Sequence, residues 1–360
     1  MTKMPHPPRP VTGGVDTHLD SHVAVVVDEV GRVIGTESFA VSAKGYAALL
    51  AWMRSLGEVV KVGVEGTGSY GAGLARHLAS HDVEVVEVIR PNRQLRRRRG
   101  KSDPTDAEAA ARAALSGEAA GAPKSKDGAV EALRALRVAR RGAIKARTQA
   151  ANALRDLVVS APEALRARMC GLSRDDQVAL AAHFRPGQLT DPIEATKAAM
   201  RSVAQRHGDL SAEIARLDTA LGELVPEIAP KEFLDKSGVG TQVAVALLAT
   251  VGDNPTRLHS EASFAALCGV SPVDASSGKQ VRHRLNQGGD RQANSALWRI
   301  VLTRMSHDPR TKAYVARRTA EGKTTKEIMR CLKRYVAREV YRSLVAALRD
   351  EAPSPLAAAA

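Results

Sequence analysis

The fold is decided by VTGGVD at residues 11–16, SHVAVVV at 21–27 and RVIGTESF at 32–39. Each run is rich in β-branched residues and is bounded by polar or glycine-containing segments, which predicts three successive β-strands. A turn is expected at residues 29–31, between the second strand and the third. The chain should therefore begin with three strands of one β-sheet.

Helix and strand patterns alternate after these three strands. The predicted elements are, in order, helix 46–53, strand 59–65, helix 71–79, strand 83–89 and helix 103–115. Three leading strands followed by this alternation predict a mixed sheet covered by helices, an α/β fold. It is the element order that RNase H-like domains use.

The middle of the chain has no strand pattern. Residues 128–160 are rich in Ala, Arg and Leu, and a heptad seam with one polar member follows farther on. The seam positions are Met200, Val203, His207, Leu210, Ile214, Leu217, Leu221 and Leu224. The pattern predicts a coiled-coil helical hairpin that also mediates self-association, with a bundle helix packed on its own chain as the alternative. The role expected for His207 is to fix the register of the helices.

A third region begins near residues 226–230. The turn SGVGT at 237–241, followed by an apolar helix at 243–251, resembles a helix–hairpin–helix turn that offers backbone N–H groups to a phosphate. Any tight turn between two helices would look the same. The predicted domains are an acidic α/β domain at 1–122, the helical hairpin at 123–230 and a mostly helical domain at 231–360.

The composition favours a polyanionic partner. The 360 residues include 53 Lys and Arg against 39 Asp and Glu, a formal net charge of +14. Such an excess favours nucleic acid because each neutralised phosphate releases counterions, although a merely soluble basic protein would share it. Aromatic residues are 3% of the chain, so phosphate contacts should outweigh base stacking. The three cysteines fit neither a zinc nor a disulfide pattern. With no apolar signal segment or membrane-length apolar run, a soluble cytoplasmic protein is expected.

Four carboxylates carry the predicted chemistry. Asp16 and Glu65 each end an apolar strand, where a charge is costly to bury unless a cation or hydrogen bonds satisfy it. Asp103 and Asp106 begin a helix and project from about the same face. Together the four predict a site for Mg²⁺, or Mn²⁺, that would assist phosphoryl transfer.

The two acids at the helix start also have a purely structural interpretation. Asp103 before Pro104 is the pattern of an N-cap with proline at the first helical position. Asp106 would then be a first-turn acid that suits the helix dipole. The metal interpretation therefore depends on all four acids occurring in the expected order.

A basic run without any acid lies between Glu65 and Asp103. Its seven members are Arg90, Arg93, Arg96, Arg97, Arg98, Arg99 and Lys101. Charge runs are usually solvated faces. Directly before the proposed metal ligands, however, the run favours binding of nucleic-acid phosphates.

Three motifs carry a resemblance to a known family. Gly14-Val-Asp16, Val64-Glu-Gly-Thr-Gly68 and Lys101-Ser-Asp-Pro-Thr-Asp-Ala107 are similar to the DEDD motifs of the transposases of the 110 family of insertion sequences. The resemblance extends over nearly the whole chain. It implies a RuvC-like (RNase H-like) domain, joined by a coiled coil to a transposase domain with a serine nucleophile. It also implies a bacterial, nucleoid-associated protein.

The same resemblance implies partners. A structured guide (bridge) RNA from the element would pair with donor and target DNA. Dimers would assemble into tetramers, in which the serine of one protomer meets the acidic site of another.

The position of the serine also follows from the resemblance. FAALCGVSP at 264–272 is similar to the family's lead-in, and Ser277 before Gly278 matches the expected nucleophile. A serine ester would conserve bond energy for religation. Ser276 and Ser271 are nearby alternatives, and a solvated turn is the structural one. Downstream basic residues would clamp phosphates beside the serine: Lys279, Arg282, His283, Arg284 and Arg291.

The predicted function is that of an RNA-guided DNA transposase and site-specific recombinase that forms a covalent phosphoserine intermediate. One alternative is a RuvC-like hydrolytic nuclease, such as a junction resolvase, which needs the four acids but not Ser277. The other is a non-catalytic nucleic-acid-binding scaffold whose acids are structural.

Overall fold

The computed structural model describes residues 9–88, 102–119, 121–278 and 283–351. The chain forms two compact units. One comprises residues 1–128 together with 251–260, and the other comprises 129–250 together with 261–360. The predicted division into three domains stays a prediction. Within the described part of the chain, no helix is long and apolar enough to cross a membrane.

A mixed five-stranded sheet forms the centre of the first unit. Its strands are β1 (Pro10–Thr17), β2 (Ser21–Val27), β3 (Val33–Ala40), β4 (Glu58–Glu65) and β5 (Glu84–Val88). Their spatial order is β3-β2-β1-β4-β5. The pairs β1–β2 and β2–β3 are antiparallel, whereas β1–β4 and β4–β5 are parallel. The predicted mixed sheet is therefore confirmed.

Helices cover both faces of this sheet. The first two, α1 (Ala43–Leu56) and α2 (Ala72–Ala79), bury leucines and a methionine against one face. The third, α3 (Asp103–Ser116), packs alanines against the valines of β2 on the other face. Because successive strand residues point to opposite faces, the valine-rich strands supply both of these cores.

Residues 251–260 join the first unit although they follow the helical hairpin in sequence. They include a short 3₁₀ turn, Pro255–Arg257. The side chain of Asn254 accepts a hydrogen bond from the backbone N–H of Ser125 at 3.1 Å and donates one to the carbonyl of Pro123 at 2.9 Å. These two bonds tie the segment to the chain that leaves the sheet.

Two long helices form one part of the second unit. They are α4 (Ala129–Ser160) and α7 (Pro192–Ile228), connected through α5 (Glu163–Met169) and α6 (Arg174–Ala182). Leu154 packs near Met200, while Arg140 pairs with Asp218, so α4 and α7 run antiparallel. The apolar seam of α7 thus packs within its own chain; its role in self-association stays a prediction.

Shorter helices complete the second unit. They are α8 (Lys231–Leu234), α9 (Thr241–Val251), α10 (Glu261–Leu267), α11 (Arg291–His307), α12 (Pro309–Ala320), α13 (Thr325–Val340) and α14 (Ala347–Glu351), with a π-helical turn at Tyr341–Ala346. A two-stranded hairpin, β6 (Val273–Asp274) and β7 (His283–Arg284), lies between α10 and α11.

The glycine turn before α9 has a packing role. Gly238 has φ +85°, and a Cβ there would lie 3.1 Å from the Cα of Ile300 in α11. Glycine is needed because the turn requires a left-handed residue and a close approach to a helix backbone. The predicted phosphate-binding role of this turn stays a prediction.

Candidate active site

Asp16 and Glu65 lie at the ends of neighbouring parallel strands. Val15 pairs with Val64, so the two acids follow a matched pair in the register of β1 and β4. The hydroxyl of Thr17 donates to the carbonyl oxygen of Glu65 at 2.8 Å, which ties the two strand ends together. Asp16 is only 7% exposed, and Glu65 is half-buried.

Both acids point to the face of the sheet that α3 covers. By the alternation of strand residues, Asp16 shares its face with Gly14, and Glu65 shares its face with Gly63. A Cβ at Gly14 would clash with the backbone of Ala107 and Ala111 in α3. A Cβ at Gly63 would lie 2.5 Å from the carbonyl oxygen of another α3 residue. The two glycines therefore let α3 lie directly against the strands that carry the acids.

The start of α3 supplies the second pair of acids. Asp106 is 3% exposed, whereas Asp103 is partly exposed. The N-cap is Ser102, and Asp103 is the first residue of the helix. The alternative that Asp103 serves as the N-cap is therefore wrong.

His18 joins this site, although the sequence did not single it out. Its Nε2 lies 3.1 Å from Oδ2 of Asp16 and 3.4 Å from Oδ1 of Asp103. Ligand-type atoms of these three residues all lie within 4.8 Å of one another. The signal in the sequence is the position of His18, two residues after Asp16 at the end of a strand. Side chains two residues apart in a strand point to the same face.

The electrostatics of the site favour a cation. Burial raises the pKa of Asp16, and His18 opposes that rise. The nearby carboxylates of Asp106 and Asp103 raise the pKa further. Carboxylate oxygens suit Mg²⁺ and Mn²⁺, and an imidazole nitrogen suits several transition metals. The donor atoms of Asp16, His18 and Asp103 therefore fit a divalent ion, whereas the other two predicted ligands, Asp106 and Glu65, are not part of this cluster.

Ser277 lies in the second unit, in the exposed loop after β6. The neighbouring Ser276 is engaged locally, because its hydroxyl donates to Oδ1 of Asp274 at 2.5 Å. Gly278 has φ +57° and open space where a Cβ would lie. A left-handed residue after the serine explains the need for glycine there.

The predicted phosphate-binding residues divide into two groups. His283 and Arg284 in β7 and Arg291 at the start of α11 are all exposed. The other predicted members lie outside the described residues: Arg90, Arg93, Arg96, Arg97, Arg98, Arg99, Lys101, Lys279 and Arg282.

A basic cleft of about 470 Å³ adjoins the β6–β7 hairpin. Arg284 and Asn286 line one side, and α13 supplies the other with residues that include Arg330, Lys333 and Arg334. Burial lowers the pKa of Lys333, and the charge of Arg330 lowers it further. The sequence showed that α13 is basic, but only the fold shows which of its side chains meet the hairpin.

Family models match both halves of the chain. The first model describes the DEDD transposase domain of IS110. It matches residues 13–161, which contain the four acids. The other, described as a transposase of the IS116/IS110/IS902 family, matches residues 232–316, which contain Ser277. This chain belongs to the IS110 family of transposases. The family resemblance predicted from the three motifs is therefore confirmed.

A curated relative agrees with this membership. The IS110-family chain is 36% identical over 115 residues to an insertion element IS110 uncharacterized 43.6 kDa protein of Streptomyces coelicolor. The matched stretch covers 31% of this chain and 27% of that protein.

Proposed function

We propose that this chain is a DNA transposase that cuts and rejoins DNA through a covalent phosphoserine intermediate, assisted by a DEDD metal site. The clustering of Asp16, His18 and Asp103, with Asp106 near enough for its charge to raise the pKa of Asp16, is the observation that carries the proposal. Burying several carboxylates together costs stability unless a cation binds them. Membership in a transposase family supports DNA as the substrate.

The first unit supplies the metal-binding part of the proposal. Its strand order, with parallel β1 and β4 at the centre and α3 against them, fits the RNase H-like arrangement expected from the sequence. Mg²⁺ or Mn²⁺ bound by the four acids would neutralise negative charge on the reacting phosphate. Because Asp16 and Asp106 are buried, their carboxylates would be held in fixed positions for the ion.

Ser277 supplies the nucleophile. Its Oγ would form a bond to the phosphorus of a DNA phosphodiester as its proton leaves to a base. One bond from phosphorus to a sugar oxygen would break, and that oxygen would take up a proton. Attack by a sugar hydroxyl from another DNA end would then break the bond from phosphorus to Oγ. The strand is thereby rejoined and the serine regenerated.

The basic cleft beside the hairpin would position the DNA backbone. Arg284 and Arg330 are exposed at its walls and offer charge-assisted hydrogen bonds to phosphate oxygens. Contacts to phosphates fix the register of DNA but carry no sequence information. This division agrees with an expectation that base pairing to a guide RNA sets the target.

Assembly, RNA guidance and location belong to the same proposal. Dimers would assemble into tetramers, so that Ser277 of one protomer acts with the acids of another. The protein would act in the bacterial cytoplasm, at the nucleoid.

Mixing the Asp16→Asn and Ser277→Ala proteins tests the shared site. Recovery of strand transfer in the mixture is expected, and two inactive proteins that stay inactive together would argue against sharing.

A protein–DNA adduct on a denaturing gel tests the chemistry. The reaction contains Mg²⁺, the element's flanking RNA and its end DNA. We expect wild type and Ser276→Ala to form the adduct, and Ser277→Ala and Asp16→Asn to form none. DNA cleavage without an adduct would instead support the hydrolytic nuclease. Unchanged binding with no cleavage in any protein would support the scaffold.

A further inference from the structure

The second unit contains another basic concavity, of about 280 Å³, between α4, α9 and α11. We call it the basic groove, and it shares no lining residue with the cleft beside the β6–β7 hairpin. Its cations are Arg137, Arg140, Arg141, Lys145 and Arg299, and none of the described residues that line it is an acid.

Two acids lie near the basic groove, and both are already engaged. Asp218 accepts from Nε and Nη2 of Arg140 at 2.5 and 3.0 Å, and also from Gln242 at 2.7 Å. Asp290 caps α11 by accepting from the backbone N–H groups of Gln292 and Ala293. Asp218 thus neutralises the charge of Arg140, whereas most of the positive charge in the groove is not neutralised in this way.

The remaining cations repel one another. Burial lowers the pKa of Arg137, the charges of Arg141 and Arg299 lower it further, and Asp290 offsets part of the effect. In the described part of the chain, Arg141, Lys145 and Arg299 form no ion pair, and all three are exposed. Such a cluster opposes folding, and a bound anion would relieve the repulsion.

The shape of the basic groove matches a chain of phosphates. Arg137, Arg141 and Lys145 recur every four residues, so they lie along one face of α4. They span about 12 Å at the α-helical rise, which is longer than one phosphate group. Arg299 faces this row from α11.

The rest of the lining is suited to backbone contacts. Apolar side chains, among them Ile144 and Val243, line the groove together with the amides of Gln242 and Gln292. Its lining, as far as the structure describes the chain, includes no aromatic side chain on which a base could stack.

We propose that the basic groove binds the phosphodiester backbone of a polynucleotide, at a site separate from the cleft beside the β6–β7 hairpin. The proposal rests on the proposed function only in taking nucleic acid as the polyanion. It involves no bond breaking. Guide RNA and DNA share the phosphodiester chemistry, and the binding assay distinguishes them.

Fluorescence anisotropy of full-length protein in EDTA tests the groove without chemistry. The probes are a 30-nucleotide single-stranded RNA and a 30-base-pair DNA duplex, with inorganic phosphate as a competitor. The groove variant is Arg141→Gln/Lys145→Gln/Arg299→Gln. Its Kd for one or both probes should rise by on the order of tenfold. The magnitude of the slope of log K against log salt should fall by about two to three. Each cation that is removed no longer neutralises a phosphate, so the counterions of that phosphate are not released on binding.

A matched variant controls for net charge. Arg155→Gln/Arg166→Gln/Arg185→Gln also removes three exposed cations, all of them outside the groove. Its Kd should stay within about twofold of wild type if the contacts are specific. The charge-retaining Arg141→Lys/Arg299→Lys protein should bind like wild type, which separates lost contacts from damaged folding. A groove variant that binds both probes as the control does overturns the proposal. The proposal is also overturned if inorganic phosphate binds in the groove but the groove variant keeps the wild-type affinity for both probes.

This outcome is independent of the adduct assay. A protein that forms no phosphoserine can still lose polynucleotide affinity in the groove variant, and this would sustain the groove while removing the recombinase chemistry. Conversely, an adduct formed by wild type together with unchanged binding by the groove variant would sustain only the chemistry.

Discussion

The imidazole Nε2 of His18 lies 3.1 Å from Oδ2 of Asp16, at the end of the central strand β1. The same nitrogen lies 3.4 Å from Oδ1 of Asp103 at the start of α3. One imidazole therefore bridges two acids that are far apart in the sequence. This bridge links the strand acids to the helix acids.

Replacing His18 tests whether the bridge supports metal binding. We expect His18→Ala to weaken Mn²⁺ affinity by about 10–100-fold, as for residues that bind a metal or orient its ligands. Titration followed by electron paramagnetic resonance measures the affinity. His259→Ala, at an exposed histidine of the same unit, is the control and should match wild type. Equal affinity in the two variants would show that His18 is only a neighbour of the acids.

Neutralising Asp16 should separate stability from metal binding. In EDTA at pH 7, Asp16→Asn should be at least as stable as wild type, because burial disfavours the charged carboxylate. With Mg²⁺ at about 100 times its Kd, wild type should gain about 2.7 kcal/mol, and the variant should gain much less. Thermal melts with and without Mg²⁺ measure this. Asp20→Asn, at an exposed acid nearby, should respond to Mg²⁺ as wild type does.

A methyl group at Gly14 should displace α3. Gly14→Ala brings a Cβ into the backbone of Ala107 and Ala111, so we expect destabilisation of about 1–3 kcal/mol and loss of the DNA adduct. Chemical denaturation and the adduct assay measure the two effects. The contrasting variant is Gly142→Ala in α4, where a Cβ meets nothing within 4 Å. It should stabilise the helix by about 0.5–1 kcal/mol and leave the adduct intact.

His22 should make stability depend on pH. It is fully buried in β2, and its ring stacks on Tyr46 with the centroids 5.7 Å apart. Burial lowers its pKa from the ordinary value of 6.5, so the unfolded chain binds the proton more readily. The contribution of His22 is therefore full above pH 6.5 and is lost as the pH falls below that value.

Urea unfolding at pH 7.5 and pH 5.5 measures this contribution. The free energy of unfolding should fall less steeply towards pH 5.5 in His22→Phe than in wild type. The difference should be at most about 1.4 kcal/mol per pH unit, the value for one proton. Parallel pH profiles for the two proteins would show that another group titrates.

Much of the first unit was predictable because its signals are local. Strand β2 is an uninterrupted run of valines and alanine after His22, and Asp16 and Glu65 each close an apolar strand. Alternation and β-branching are properties of neighbouring residues, so the sequence reveals them without knowledge of the fold. The family motifs added Ser277, which no local pattern distinguishes from a solvated turn.

It was harder to predict from the sequence which side chains come together in the two basic sites. The sequence shows that α4 and α13 are basic, as many solvated helices are. Only the packing of α9 and α11 against α4 turns one basic face into a groove. Likewise, only the hairpin beside α13 turns Arg330 and Lys333 into the wall of a cleft.

The sequence by itself determined the five strands of the mixed sheet, the helices that cover it and the family of this protein. Tertiary structure alone decided that His18 meets Asp103, that Gly14 admits α3, and that Asn254 joins the first unit by binding Ser125, 129 positions away. The physical reason is the range of the interactions. Local periodicity is set by backbone geometry over a few residues. Contacts between distant residues depend on how whole elements pack, and no short stretch of sequence encodes that packing.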